Sequence, residues 1–500
     1  MEGLHELVCR ALDGDPTADS VEFQHRWYSW AQMRLVADAT AGILFEAGVP
    51  TRAVICLIPR NRPSAIAAEI GLISARRTIR MIYGFQSPVG IARDVARARP
   101  AAVVAAVEDF TPELMAVVRE QNLVGIALEE MGAELVAHQG PSFALRDFST
   151  SDQPEIQVHT SGTTGPPKNV AFSYDMINRY MIGGNISGVV GAHTQIPPVL
   201  AIYPLGNISG LYNTIPAIVN RRRIVLVDRF TMDGWLDFVR RFRPATLQLP
   251  PSAFGETLKA NVPVEDLASL DFISTGGAPL DPAIQQRFEN HYGIPILPCY
   301  GATEFGGPVT TMTQDLVEMF GSSKIGSVGR TCGGTKIRVV DPETFVELPR
   351  GKEGLLEVLS PSMGNQWIRT ADIAVLDEDD FLFHRGRADG AIVRGGFKLL
   401  PETIERALTL HPGVADAAVV GLTDERLGQV PAAVVQLERH STGTTTEILE
   451  EHLRQHVYAT HIPVRWAFVE AIPRNTSLKT DQAAIRALFG GGSVSSAIAS

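Results

Sequence analysis

The feature that most limits the fold is an alternation that runs through the first 380 or so residues. Short apolar, β-branched runs (Val54–Ile58, Ala102–Val107, Ile224–Val227, Thr246–Leu249, Phe272–Ser274 and Ile294–Leu297) are separated by stretches with helical spacing. Parallel strands need a long crossover, usually a helix, so this order predicts an α/β fold of parallel-rich sheets covered by helices. Asp281-Pro282 reads as an N-cap followed by proline at the first helical position, with a helix to about Tyr292 that stops at Gly293. In such sheets ligands bind where strand ends meet loops. The segments that follow the strands are therefore where the chemistry is to be sought.

One of them, His159-Thr160-Ser161-Gly162-Thr163-Thr164-Gly165-Pro166-Pro167-Lys168, follows the apolar run Ile156–Val158. Backbone N–H groups freed by glycine, together with Ser and Thr hydroxyls, wrap a polyphosphate, and Lys168 adds a positive charge. A Walker loop is excluded, because that motif needs Gly directly before Lys and Ser or Thr directly after it. Here Pro167 precedes Lys168 and Asn169 follows it. Taken alone the segment is also readable as a Ser/Thr/Gly/Pro surface turn.

Other strand ends carry further clusters. Tyr300-Gly301-Ala302-Thr303-Glu304 brings a ring, a close-approach glycine, a hydroxyl and a carboxylate together. The ring can stack on a purine and the carboxylate can hold the Mg²⁺ that accompanies ATP; the plain alternative is a core tyrosine beside a solvated glutamate. Ser274-Thr275-Gly276-Gly277-Ala278-Pro279-Leu280 lets the backbone approach a flat ligand, though alone it is equally a tight turn before a helix. Asp372 in Thr370-Ala371-Asp372, with Arg387, could bind ribose hydroxyls as carboxylates do in dinucleotide sites. Nothing local singles out Lys479 in Pro473-Arg474-Asn475-Thr476-Ser477-Leu478-Lys479.

Composition narrows the class. The 500 residues are 45% hydrophobic and 20% charged, with a formal net charge of −11, which fits a multi-domain globular protein and argues against a nucleic-acid binder. The basic runs Arg76-Arg77 and Arg221-Arg222-Arg223 read as solvated loop or helix-end charges. Cys9, Cys56, Cys299 and Cys332 form no C-x-x-C pair, so reduced thiols in a cytoplasmic protein are expected. The first residues lack an apolar h-region, so no signal peptide is expected. Residues 180 to 220 carry no Lys, Arg, Asp or Glu, but four prolines, six glycines and several asparagines interrupt them, so they read as buried, ligand-lining structure rather than a membrane span. Near residue 385 the composition shifts, after the acidic turn Asp377-Glu378-Asp379-Asp380, to glycine-rich segments and a short helix–strand alternation. The expected division is residues 1–386, a junction at 387–389, a compact α+β domain at 390–489 and a flexible tail at 490–500.

Taken in order, these segments resemble the adenylate-forming superfamily of acyl-CoA synthetases, nonribosomal adenylation domains and firefly-type luciferases, over about residues 20 to 489. The resemblance implies a large N-terminal domain of parallel sheets and a small mobile C-terminal lid joined by a hinge. It implies ATP, Mg²⁺ and coenzyme A as reactants, and an acid–thiol ligase reaction. A carboxylate attacks the α-phosphate of ATP to give acyl-AMP and pyrophosphate; a thiol then displaces AMP. On the matching positions, Thr160, Ser161, Gly162, Thr163, Thr164, Gly165 and Lys168 would hold the phosphates. Gly277, Ala278, Pro279, Tyr300 and Gly301 would bind adenine, and Asp372 and Arg387 the ribose. Thr303 would contact the α-phosphate, Glu304 the metal, and Lys479 the reacting carboxylate and phosphoryl oxygens. Asp389 falls on the hinge, and Gly395 and Gly396 on the CoA side.

The resemblance also bears on the acid. Gly206, Asn207, Gly276 and Gly306 fall on its pocket. A neutral Asn207 cannot pair an α-ammonium, whose unpaired burial is expensive, so an amino acid is disfavoured. Glycines at 206, 210, 277, 306 and 307 suggest a roomy apolar pocket and a hydrophobic acid, aryl or medium-to-long acyl. Leu478 stands where glycine is common, and Val393 where several members carry lysine. The alternatives are loading of a separate carrier protein, a luciferase-like oxidase, and a nucleotide-binding relative without activity. No nucleic acid partner and no integral membrane segment are expected. A homodimer is left open, since no residue specifies the oligomer.

Overall fold

Val54–Ile58 is buried at every position, as a strand covered on both faces requires. In the computed structural model, which describes residues 2–137, 153–160, 168–183, 196–394, 397–424, 427–439, 441, 443–475 and 478–490, this strand is the middle of a seven-stranded sheet. The order across it is Ala133–Ala137, Val124–Leu128, Ala102–Ala106, Val54–Ile58, Thr78–Met81, Glu155–Thr160 and Lys168–Ser173. The inner pairs are parallel and the two outermost pairs antiparallel. Helix Pro63–Ser74 is buried from Pro63 to Ile73, and helix Pro88–Ala98 sets Ile91 and Val95 against Cys56, Ile58 and Val103. A smaller sheet runs Val199–Ala201, Ile224–Leu226, Asp19–Phe23 and Arg26–Ser29. These elements belong to the first of two compact units, Met1–Pro244 with Ala302–Gly307.

Arg76 is exposed as expected, but other members of the basic runs are used inside this unit. Arg77 is 6% exposed and donates to the carbonyls of Val49 and Pro50, both at 2.9 Å. Arg221 donates to the carbonyls of Ala11 and Asp15 and stacks over Trp30, and Arg222 donates to Pro197. A guanidinium carries five donors, so each ties down loop carbonyls that would otherwise be buried unbonded. Sequence patterning does not reveal such partners.

The second unit is Ala245–Gly301 with Pro308–Ser500. Its parallel strands Thr246–Gln248, Phe272–Thr275 and Ile296–Ala302 alternate with helices Pro251–Lys259 and Pro282–Tyr292. Asp281 caps the latter helix through Oδ1, which accepts from Ala283 and Ile284, and Gly293 ends it at φ +69°. An antiparallel sheet follows: Lys336–Val340, Glu353–Leu359, Ile368–Leu376 and Leu382–Arg387. The chain leaves it through the 3₁₀ turn Ala388–Gly390 and enters a last sheet of Ile392–Arg394, Phe397–Leu399, Val414–Asp424, Gly428–Leu437 and Arg465–Val469. Helices Pro401–Thr409 and Thr446–His456 pack Ile404, Leu408, Leu449 and Leu453 on it. No helix among the described residues is long and apolar enough to cross a membrane.

Candidate functional site

In the second unit, three side chains from two other strands meet at Asp372. Register pairs Asp372 directly with Arg387 on the neighbouring strand. The Tyr300 hydroxyl donates to Asp372 Oδ2 at 2.5 Å, and His384 Nε2 and Arg387 Nη1 lie 3.3 and 3.4 Å from Oδ1. Arg387 also grips Asp389 through Nε and Nη2, at 2.8 and 2.5 Å. The Tyr300 and His384 rings are stacked, with centroids 5.9 Å apart and planes at 29°. Burial works to raise the Asp372 pKa, but hydrogen bonds from His384 and Tyr300, with the charges of His384 and Arg387, outweigh it. The carboxyl is therefore held below the usual carboxylate range, ionised though buried.

Two further carboxyls lie behind, on helix Pro401–Thr409. Glu402, on helix Pro401–Thr409, has a carboxyl pushed up by burial, and its Oε2 has no hydrogen-bond partner among the described residues. A Cβ on Gly386, which sits at φ +137°, would meet this oxygen at 2.5 Å. Gly386 thus admits Glu402 beneath the strand that carries His384 and Arg387. One turn on, Glu405 is pushed up to about 8 by burial and then by Glu402, and accepts the Val419 N–H at 2.7 Å.

Gly277 is exposed at φ +81° with open space where a side chain would be, and Ala278 and Pro279 continue that turn. Gly301 is half-buried beside Tyr300. Exposed Lys479 lies in a bonded turn: Asn475 N–H donates to Lys479 O at 2.7 Å, and Lys479 N–H to Asn475 Oδ1 at 3.1 Å. Arg474 braces the turn, donating to Leu478 O and to Asp416 Oδ2, the latter at 2.6 Å. Leu478 is left-handed at φ +62°, the conformation that glycine adopts most easily.

In the first unit, Thr303 and Glu304 stand on the 3₁₀ turn Thr303–Phe305. Among the described residues no hydrogen bond or ion pair holds the half-buried Glu304 carboxylate, and no group of three or more His, Cys, Asp or Glu could hold a metal ion. One carboxylate plus phosphate oxygens and water is a donor set that suits Mg²⁺. Asn207 caps helix Ile208–Val219, its Oδ1 accepting from Gly210 N–H at 2.8 Å. Gly306, at φ +80°, accepts the Tyr212 hydroxyl at 2.7 Å through its carbonyl. His159, near the end of its strand, is half-buried, with both ring nitrogens sealed from solvent and neither bonded among the described residues, and burial lowers its pKa.

Open space is found at Gly277, but at three of the other glycines read as roomy the space is taken by the protein itself. A Cβ on Gly206 would meet Pro59, on Gly210 the Pro204 carbonyl, and on Gly307 the Tyr212 ring. In the second unit a Cβ on Gly276 would meet Cys299 Sγ at 2.5 Å. These glycines admit the protein's own atoms. Ser161, Gly162, Thr163, Thr164, Gly165, Gly395 and Gly396 lie outside the described residues, as do the side chains of Thr160 and Lys168. A cleft of about 610 Å³ in the first unit, lined by Phe23, Arg26, Arg62, Glu108 and Glu130 among others, includes none of the residues singled out from sequence. Sequence reading missed His384 and Glu402. Strand alternation would set His384 and Arg387, three residues apart, on opposite faces; the shift in register between Ile373 and Ala374 undoes that alternation, so no sequence signal marked His384.

The chain matches the family model of the AMP-binding enzymes over residues 10–366, and that of the AMP-binding enzyme C-terminal domain over residues 403–479. It is 30% identical over 370 residues to 2-succinylbenzoate–CoA ligase of Bacillus cereus (strain Q1), covering 69% of this chain and 72% of that one. It is 26% identical over 502 residues to 4-coumarate-CoA ligase 2 of Narcissus pseudonarcissus, covering 92% and 87%. The crystal structure of ATP-bound MatB from Rhodopseudomonas palustris superposes with a TM-score of 0.80 over 97% of this chain and 99% of that one, at 22% identity. That likeness is one of fold.

Proposed function

The chain belongs to the AMP-binding enzymes, the adenylate-forming family whose relatives here are acid–CoA ligases, and from that premise we propose that it joins a hydrophobic carboxylic acid to coenzyme A at the expense of ATP. In the first half-reaction a carboxylate oxygen bonds to the α-phosphorus, and the bond from that phosphorus to the bridging oxygen breaks. Pyrophosphate leaves and acyl-AMP remains. In the second, the sulfur of CoA bonds to the acyl carbon, the thiol proton is lost to solvent, and AMP leaves with the ester oxygen.

The observation that carries the reading is Asp372, a buried carboxylate kept ionised by Tyr300, His384 and Arg387. An ionised carboxylate accepts hydroxyl protons, and ribose offers two. Tyr300 supplies a ring face for adenine, beside the open turn at Gly277, Ala278 and Pro279. Thr163, Thr164 and Lys168 hold the departing pyrophosphate, and Thr303 the α-phosphate. When MgATP binds, Glu304 supplies a ligand to the metal, which offsets phosphate charge. Lys479 offers its ammonium to the attacking carboxylate and the α-phosphate, two anions that otherwise repel. Residues 387–389 serve as the hinge of a lid formed by 390–489, with Asp389 at its pivot and Gly395-Gly396 on the CoA side.

ATP–pyrophosphate exchange across aliphatic, aromatic and polycyclic acids tests the reaction, with acyl-CoA formation read in parallel. Lys479→Ala should lower exchange at least ~100-fold, the scale of removing one preorganised transition-state donor, while supplied acyl-AMP is still converted to thioester. An equal fall in both half-reactions would show that Lys479 does not act on the phosphoryl step.

A further inference from the structure

We propose that His384 is a positioning residue for the nucleotide, holding the Asp372 carboxylate and flanking the Tyr300 ring so that both meet a bound nucleoside in one orientation. The inference rests on the nucleotide reading above and goes beyond it, since His384 lies in none of the segments that pointed to ATP.

An ionised carboxylate has about four lone-pair sites on two oxygens. Tyr300 occupies one on Oδ2; His384 and Arg387 share Oδ1. Arg387 is committed elsewhere, with its two shorter bonds going to Asp389. His384 is different: Asp372 is the hydrogen-bond partner recorded for its ring among the described residues. The imidazole is thus the donor at Oδ1 that has no competing carboxylate bond, and it fixes which lone pairs remain for ribose hydroxyls. Its ring lies beside that of Tyr300, so one side chain aligns both the carboxylate and the aromatic face. The strand that carries it is itself backed by Glu402 under Gly386, which limits its freedom to shift.

Three variants of the full chain separate the parts of this role. His384→Leu removes donor and ring, His384→Phe keeps a ring, and His384→Gln keeps an N–H donor. The readouts are KM for ATP and kcat in pyrophosphate exchange, with calorimetric titration of ATP into each protein. His384→Leu should raise both KM and Kd for ATP about tenfold, the scale of one hydrogen bond to a charged group, with kcat near the wild-type value. His384→Gln should recover most of the affinity, and His384→Phe should not. Unchanged ATP affinity in His384→Leu overturns the proposal, as does a fall confined to kcat or a Gln variant no better than Leu. If the wild-type chain binds no ATP, the nucleotide reading falls and this inference with it; if it binds ATP and His384→Leu binds equally well, only the inference falls.

Discussion

Asp372 in the second unit and Glu69 in the first are both nearly sealed from solvent, at 7% and 1% exposure, yet Asp372 is held ionised while Glu69 is pushed up to about 8. Desolvation acts on both and favours the neutral acid. The difference is in the donors. Asp372 receives Tyr300, His384 and Arg387. Glu69 lies on the buried helix Pro63–Ser74, its Oε1 has no hydrogen-bond partner among the described residues, and burial is the whole cause of its shift. The nearby Tyr174 hydroxyl already donates to the Arg77 carbonyl at 2.8 Å. Burial alone therefore does not mark a working carboxylate. A site for a ligand needs charge held ready, and that takes donors from several elements.

The largest effect expected from this contrast is at Asp372. Asp372→Asn keeps the shape but halves the acceptor capacity and removes the charge, so KM for ATP in pyrophosphate exchange should rise about 100-fold, the scale of losing charge-assisted bonds to two hydroxyls. Glu69→Gln should leave that KM where it is. An Asp372→Asn enzyme with wild-type KM would mean that the ionised carboxylate serves the fold and not the nucleotide.

The same contrast explains what was legible in sequence. The strands and helices of both units follow apolar periodicity and end signals, as at Val54–Ile58 and at Asp281 and Gly293. Tyr300 and Asp372 stood out because each follows an apolar run and sits beside small residues. His384 and Glu402 did not, because what matters about them is a neighbour on another strand or helix. Nor did the role of Gly206, Gly210, Gly276 and Gly307, since a missing side chain signals space without saying what fills it. Arg77 and Arg221 misled in the same way: charge suggests solvent until the carbonyls they serve are in view.

A smaller effect separates the two regions by how they yield. Gly71, two residues beyond Glu69, faces helix Trp30–Glu46, and a Cβ there would lie 2.3 Å from the Ala37 carbonyl oxygen. Backbone in a packed helix cannot move aside as a side chain can. Gly71→Ala should therefore lower the stability of the first unit by about 1–3 kcal/mol, even though alanine is the better helix former. Denaturant titration measures it as a shift in midpoint. A stabilised variant would mean that the two helices are free to separate, and that Glu69 is less sealed than its exposure implies.

The last effect is the pH dependence that Glu69 imposes. Its folded pKa of about 8 stands above the ordinary value of 4.5, so the folded chain binds the extra proton. The stability linked to that proton is full below about pH 4.5 and is lost as pH rises toward 8, at most about 1.4 kcal/mol per pH unit across the window. Glu405, also at about 8, adds a slope of the same sign. Asp372, with its pKa lowered, acts in the opposite sense and only below its ordinary value of 3.8, outside this range. Glu69→Gln removes one of the two slopes. Its amide is as poorly partnered as the protonated acid, so little should change at pH 5. By pH 7.5 the variant should be the more stable by up to about 3 kcal/mol, the slope summed over the window. Scanning calorimetry of both proteins at pH 5, 6, 7 and 7.5 reads this as a difference in Tm that widens with pH. A constant difference would mean that Glu69 finds a donor or water in solution, and that the two carboxylates are less unlike than their surroundings make them.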